Sequence, residues 1–332
     1  MALRRRSLLA CLIVAGLGPA RAGQRRFRIA FANLDETPGV TLEGLGFTGI
    51  EMRRSFELAA RTLPVDMLYF DNAGNPERAV ANAEAAIAAR VDLLIEYNAD
   101  AEANATIGRL LATAGIPALA LIDPLPGAPL YGPDNRAAGR IAGDALGAFA
   151  RETWPGEQVQ GVLIGDVADP GAAVAERVQG ITDGIRQSLP TLQFTTLDTG
   201  GQPMRADALL TKVLLTQRGG RLLIATLDDL AAIYARNAVE MQRRQSDCII
   251  VSQGLDHSIH GGASEKKEID PNNRGSVLLG SVAYYMDRYG YEVLPLAMRL
   301  LAGEVLPTRT MTKHVLVTAA NVFREYPPFD MN

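Results

Sequence analysis

Residues 69–98 read YFDNAGNPERAVANAEAAIAARVDLLIEYN, and the order of patterns in them decides the fold class. An apolar run ends in Asp71-Asn72, and a Gly-Asn-Pro turn follows. Pro76 then stands in the first turn of an alanine-rich stretch whose Val80, Ala83, Ala86 and Ile87 share one helical face. A second apolar run, 91–95, comes next without polar alternation, as in a strand covered on both faces. That run empties directly into Glu96, Tyr97 and Asn98. Strand, helix, strand in this order is a parallel unit, and its polar exit needs a reason.

Working outward, the same alternation fills the chain. Apolar runs fall at 28–32, 65–70, 91–95 and 118–122, then at 160–164, 194–197, 222–225 and 248–252. Stretches with helical spacing lie at 77–90, 105–114, 135–152, 173–188, 206–218 and 229–244. Gly115 stops the second of these, and Ile116-Pro117 starts the next strand. The fold class is therefore α/β, with two doubly wound parallel-sheet lobes meeting near the Pro- and Gly-rich stretch 124–133. In open parallel sheets, ligands bind beyond the carboxyl ends of the strands. Asn33, Asp35, Glu96, Tyr97, Asn98, Asp123, Asp166, Asp228 and Asp256 all stand at such ends. For any single Asp or Asn, capping of the following helix is the alternative. Their spread over both halves of the chain favours a cleft.

The chain has 332 residues, 48% apolar and 21% charged, which is enough for two α/β domains. A net charge of −4 without a basic tract excludes a nucleic-acid surface. Residues 1–22 read as an export signal: three early arginines, an apolar segment at 8–17, and Ala20-Arg21-Ala22 before Gly23. Arg5-Arg6-Ser7-Leu8-Leu9 approaches a twin-arginine pattern, so Sec and Tat export both stay open. The apolar stretch before Cys11 is too short for a lipoprotein signal, and no later run is long enough to span a bilayer. Cys248, inside CIIV, reads as a small buried hydrophobe with no disulfide partner in the mature chain. A soluble periplasmic protein, expected to be a monomer, follows.

Seven segments in order carry a family resemblance: DNAGNPERAVANAEAAIAARVDLLIEYNADAEA, AGIPALALID, DNRAAGRIAGDALGAF, AERVQGI, ATLDDLAA, VSQGLD and YGYEVLPLAMRLLAGE. From about residue 27 to 318 the chain resembles the periplasmic sugar-binding proteins of the ribose/galactose-binding type, the type I periplasmic binding proteins related to the ligand-binding half of lac-type repressors. The resemblance implies two lobes joined by three hinge crossings, near Pro133, Tyr284 and Thr312. Lobe one would comprise 27–133 plus 285–311, and lobe two 134–283 plus 312–326. It implies a solute-binding component of an ABC importer, closing on a small sugar or sugar-like polyol and passing it to a membrane permease. The alternative partner is a membrane sensor kinase.

Site residues carry over unevenly. Asp123 and Asp256 match carboxylates that hold sugar hydroxyls, and Arg177 in ERVQG matches a ligand-contacting arginine. Asp228 is kept beside Leu227, where the family has Asn; Glu96 stands where Asn is common; Tyr284 falls near an expected Gln or Asn. Pro124 replaces an Arg, and NLDETPG lacks the phenylalanine pair that sandwiches a pyranose. Aromatic walls are then expected from Tyr97, Tyr284 or Tyr285, with Asp35 and Glu96 as extra acceptors for hydroxyls or an amine. Carboxylates accept from adjacent hydroxyls and a guanidinium donates in a fixed fork, which suits a polyhydroxylated ligand. Arg177→Ala and Asp256→Ala are expected to weaken binding about tenfold or more and to leave the unliganded melting temperature nearly unchanged.

Two rival readings are weaker. Gly44-Leu45-Gly46-Phe47-Thr48-Gly49 matches the dinucleotide-binding G-x-G-x-x-G of an exported oxidoreductase, but the preceding strand ends near Ala32, too far upstream for a phosphate loop. Asp256, His257 and His260 look like metal ligands, but a polar loop follows and no third histidine is near. No nucleophile elbow, Walker loop or Cys-His pairing appears. The expectation is a binding protein, not an enzyme, without cofactor or metal, whose histidines at 257 and 260 are loop residues.

Overall fold

The computed structural model describes residues 26–168, 171–217, 219–260, 268–270 and 276–326. Residues 1–22, read above as an export signal, with Cys11, and most of the polar loop after His260 lie outside these residues.

In the first sheet lie β1 (Phe27–Asn33), β2 (Val65–Asp71), β3 (Leu93–Glu96), β4 (Ala118–Leu121), β5 (Leu130–Gly132) and β11 (Arg309–Met311). They follow the order β11-β5-β4-β3-β1-β2, every pair parallel. The second sheet holds β6 (Val159–Gly165), β7 (Phe194–Asp198), β8 (Arg221–Thr226), β9 (Cys248–Gly254), β10 (Leu278–Ala283) and β12 (Leu316–Thr318). Its order is β12-β10-β9-β8-β6-β7, parallel except for the β10–β12 edge.

Helices cover the faces because each central strand is apolar on both sides. In β1, Ile29 and Phe31 join one core with Met52 and Phe56 of α1 (Gly49–Ala60). Ala30 and Ala32 join the opposite core with α2 (Pro76–Ala88) and α3 (Ala101–Ala114). The second sheet is covered by α4 (Asn135–Thr153), α5 (Ala172–Ser188), α6 (Arg205–Thr216) and α7 (Asp229–Met241). A short α8 (His257–His260), α9 (Tyr289–Leu301) and α10 (Val322–Glu325) complete the set.

Where the observed elements differ from the expected ones, local chemistry explains it. Helix α3 starts at Ala101, four residues before its expected start, because the Asp100 side chain accepts the Ala103 N–H and caps it. Strands β5, β11 and β12 have only three residues each, too few for a periodic signal. Helix α1 is set by a capping box between Thr48 and Glu51.

Helices α4 and α5 pack backbone to backbone. A Cβ on Gly180 would lie 2.1 Å from the Arg136 carbonyl oxygen, and one on Gly139 2.1 Å from that of Arg177. Gly180→Ala must therefore push the helices apart. It should cost about 2 kcal/mol of stability in denaturant titration, and a change of under about 0.5 kcal/mol, the usual size of a surface effect, would show that the helices separate freely.

The chain leaves the first sheet after β5, returns to it after β10 for α9 and β11, and leaves again for β12. One imidazole ties these passages together. His314 Nε2 accepts the Asp134 N–H at 3.0 Å, and Nδ1 donates to the Ala283 carbonyl at 2.9 Å. Burial holds the ring below its ordinary pKa, which keeps the acceptor nitrogen free of a proton.

Candidate ligand-binding cleft

The carboxyl ends of both sheets face one another across a cavity of about 660 Å³. From the first sheet's side come Thr41, Glu43, Gly44, Gly46 and Asp123. From the second come Asp166, Arg177, Thr199, Leu227 and Asp228, with the N-terminus of α5.

The loop between β1 and α1 builds one wall. Leu42, Leu45 and Phe47 are buried in the core, and the Leu42 N–H bonds back to the Phe47 carbonyl at 2.6 Å. That anchoring leaves Thr41, Glu43, Gly44 and Gly46 facing the cavity. Glu43 sits at φ 54, a left-handed conformation, and its carboxylate accepts from Tyr97 Oη at 2.7 Å. Sequence reasoning missed Glu43. Its signal was the spacing of Leu42, Leu45 and Phe47 around it, hidden by the glycines.

Asp123 follows Ile122, whose φ of 66 is strained for a β-branched residue. Burial, then the neighbouring Glu43 charge, raises the Asp123 carboxyl to about 6. Leu255, before Asp256, and Tyr285, after Tyr284, share the left-handed conformation, so strain gathers where strands turn into the cleft.

Arg177 is only 1% exposed and reaches the cavity from α5. Asn135 Oδ1 accepts from its Nε and Nη2 at 3.3 and 3.0 Å, and the Leu227 carbonyl accepts from Nη1 at 3.0 Å. Tyr284 lies beneath, 5.1 Å from guanidinium to ring, and donates its hydroxyl to the same Asn135 oxygen. Asn135 orients both and was not foreseen. Asp228 caps α7 through the Ala231 N–H and also lines the cavity, so both readings of that residue hold. Burial raises its carboxyl to about 6, with Asp256 repulsion adding to it.

The remaining expected residues lie elsewhere. Glu96 turns to the α2 face of the sheet, where Asn72 donates to it at 2.9 Å. Asp35 accepts the Thr37 N–H in a local turn. Tyr97 and Tyr284 are fully buried behind Glu43 and Arg177. Neither forms a cavity wall, and among the described residues no aromatic one lines it. Asp256 abuts Gly46 across the cleft: a Cβ on Gly46 would fall 1.5 Å from its Oδ2. Its Oδ1 accepts from the N–H and hydroxyl of Ser258, and its N–H donates to Asp229. Asp229, fully buried, also accepts from Ser252 and Ser281, and burial raises its carboxyl well above the ordinary range.

Two expectations change with these placements. Arg177 and Asp256 hold internal bonds while buried, so their loss must destabilise the unliganded protein as well. His257 is helical, and its Nε2 lies 2.6 Å from Glu51 Oε1 of α1, bridging the two halves. His260 stacks on Tyr326, ring centroids 4.1 Å apart. Among the described residues no cluster of three His, Cys, Asp or Glu is placed to hold a metal.

Glu96 gives a testable consequence of burial. Its carboxyl is raised by desolvation from 4.5 to about 8, against a smaller lowering by Asn72. The folded state thus favours the protonated form. Its contribution is full below the unfolded value and fades as pH rises through the folded one. Melting curves from about pH 5 to about pH 8 should show the wild type losing ground to Glu96→Gln, which has no proton to lose. Parallel curves for the two would refute the raised value.

The model of the periplasmic binding protein domain family matches residues 39–304. The chain belongs to this family. Among solved structures it is similar to an ABC transporter periplasmic solute-binding protein from Actinobacillus succinogenes with bound D-allose, at 17% identity and a TM-score of 0.69, covering 91% of this chain and 100% of that one. It is also similar to GanP, a glucose-galactose binding protein from Geobacillus stearothermophilus, at 18% identity and TM-score 0.63, with 90% and 99% covered. A XylFII–LytSN complex matches at 15% identity and TM-score 0.61, with 90% and 100% covered. No curated protein matches the chain. At these identities the likeness to solved structures establishes the fold, and the family is one of binding proteins.

Proposed function

We propose that this chain is the periplasmic solute-binding component of an ABC importer, closing its two lobes on a small polyhydroxylated ligand. The observation that carries the reading is the interlobe cavity, with Glu43 and Asp123 on one side and Arg177 and Asp228 on the other. A ligand that bonds both sides stabilises the closed form, because only that form offers both sets, and such differential affinity is what shifts a two-state equilibrium. The lobes would be 27–133 with 285–311 and 134–283 with 312–326, hinged where His314 gathers the crossings. The D-allose bound to one neighbour and the description of another as a glucose-galactose binding protein support a sugar or polyol as the class.

A thermal-shift screen of the mature protein against sugars and polyols tests this. A ligand at a hundredfold excess over Kd should add about 2.7 kcal/mol, and solution scattering should show compaction. Binding with no change of shape would sink the closing mechanism. Export is tested by the mature N-terminus, expected at Gly23 by mass spectrometry; retention of 1–22 or a lipid on Cys11 would refute it. The neighbour solved as a XylFII–LytSN complex favours a second reading of the partner: presentation of the closed form to a membrane sensor kinase. Deletion that abolishes ligand uptake supports the importer, whereas lost gene induction with uptake intact supports the sensor.

A further inference from the structure

The cavity walls say more about the ligand than that it carries hydroxyls. Four carboxylates, those of Glu43, Asp123, Asp166 and Asp228, line the cavity against one guanidinium, that of Arg177. They come from four different elements: the β1–α1 loop and the ends of β4, β6 and β8. Among the described residues none of the four forms an ion pair. Arg177 offsets part of this charge, lowering the Asp228 carboxyl against its burial. One guanidinium against four carboxylates still leaves the wall negative, and three of its N–H groups are engaged by Asn135 and the Leu227 carbonyl. The others stay available to a ligand oxygen.

Two features separate this wall from one suited to a neutral pyranose. Among the described residues no aromatic ring lines the cavity to offer a sugar ring a stacking face. And negative groups crowd one another: Glu43 adds to the burial that raises Asp123, and Asp256, outside the lining, adds to the burial that raises Asp228, with Arg177 opposing it. Like charges in excess of their counter-ion are relieved by a further cation between them. For partly buried groups such as Asp123 and Asp228, such attraction is screened less than at an open surface.

We infer that the ligand of this cleft is a polyhydroxylated small molecule bearing a protonated amine, such as an amino sugar or amino polyol. The ammonium sits among Glu43, Asp123 and Asp228, and the hydroxyls take the remaining Arg177 donors and Thr41 or Thr199. The inference rests on the proposal that this cavity is the ligand site, and it names the ligand's charge.

Isothermal titration at low ionic strength tests it with matched probes. These are glucosamine, galactosamine and 1-amino-1-deoxysorbitol, each beside its neutral parent (glucose, galactose, sorbitol) and its N-acetyl derivative. At least one amine should bind at least about tenfold more tightly than both its parent and its acetylated form, the equivalent of 1.4 kcal/mol. Asp123→Asn should shrink that preference severalfold; if its unliganded melting curve shows misfolding, Glu43→Gln takes its place. Neutral parents binding as tightly as the amines would overturn the inference while leaving the polyol reading intact. Putrescine binding without any hydroxylated probe would uphold the cationic site but sink the polyol reading. Binding of none of these probes would overturn both.

Discussion

Arg177→Ala is expected to lower the unliganded melting temperature by about 6 °C and to weaken ligand binding about tenfold or more. The side chain is 1% exposed, and its three hydrogen bonds hold Asn135 and the Leu227 carbonyl. Removing it takes the donor from the buried Leu227 carbonyl and leaves Asn135 Oδ1 only the Tyr284 hydroxyl, at about 1–3 kcal/mol for a group so stranded. It also leaves a cavity against Tyr284, whose ring the guanidinium covers at 5.1 Å. Together these amount to roughly 3 kcal/mol, and each kcal/mol moves the midpoint of a domain this size by about 2 °C. Binding falls for a separate reason: the ligand oxygens lose a fixed donor. Arg177→Lys should recover part of the stability but little of the affinity, since an ammonium cannot bond Asn135 and the carbonyl in the same fork. Scanning fluorimetry and calorimetry read the two effects separately. An unchanged melting temperature would mean that Asn135 and Leu227 find water when the arginine is gone.

Gly46→Val should reduce affinity by about a hundredfold, equivalent to about 2.8 kcal/mol, through closure and not through contact chemistry. Gly46 holds φ +89, and a Cβ there would fall 1.5 Å from Asp256 Oδ2 on the opposite side of the cleft. A β-branched side chain cannot share that space. Opening the cleft removes the clash, so the variant should fold and occupy an open form even with ligand present. That opening also separates Glu51 from His257, the ion pair bridging α1 and α8. Scattering profiles of the variant should then be the same with and without ligand, while the wild type contracts. A variant that contracts and binds like the wild type would show that Asp256 moves aside and that the loop is no part of the closing surface.

The alternation of apolar runs and amphipathic stretches determined the architecture, because parallel strands covered on both faces leave no polar residue to disguise them. Eight strands lie where their runs do, from β1 at Phe27–Asn33 to β9 at Cys248–Gly254. Helix ends were legible at Pro76 and Gly115, but not at Asp100, whose side-chain cap starts α3 four residues before its apolar spacing. The position of the cleft followed from chain direction alone, since every strand of a parallel sheet ends on the same side.

Which residues face that cleft was decided only by tertiary structure. Side chains alternate across a strand, so Glu96 at the end of β3 turns away to Asn72, while Asp123 and Asp228, beyond their strands, turn inward. Sequence order cannot give that parity once a strand runs into a loop. Glu43 reaches the cavity because Leu42, Leu45 and Phe47 bury the loop around it. His314 matters because three crossings far apart in the chain converge on one imidazole. Arg177 was legible as a donor, but not its dependence on Asn135, 42 residues away, because that bond exists only when α4 and α5 meet glycine to glycine.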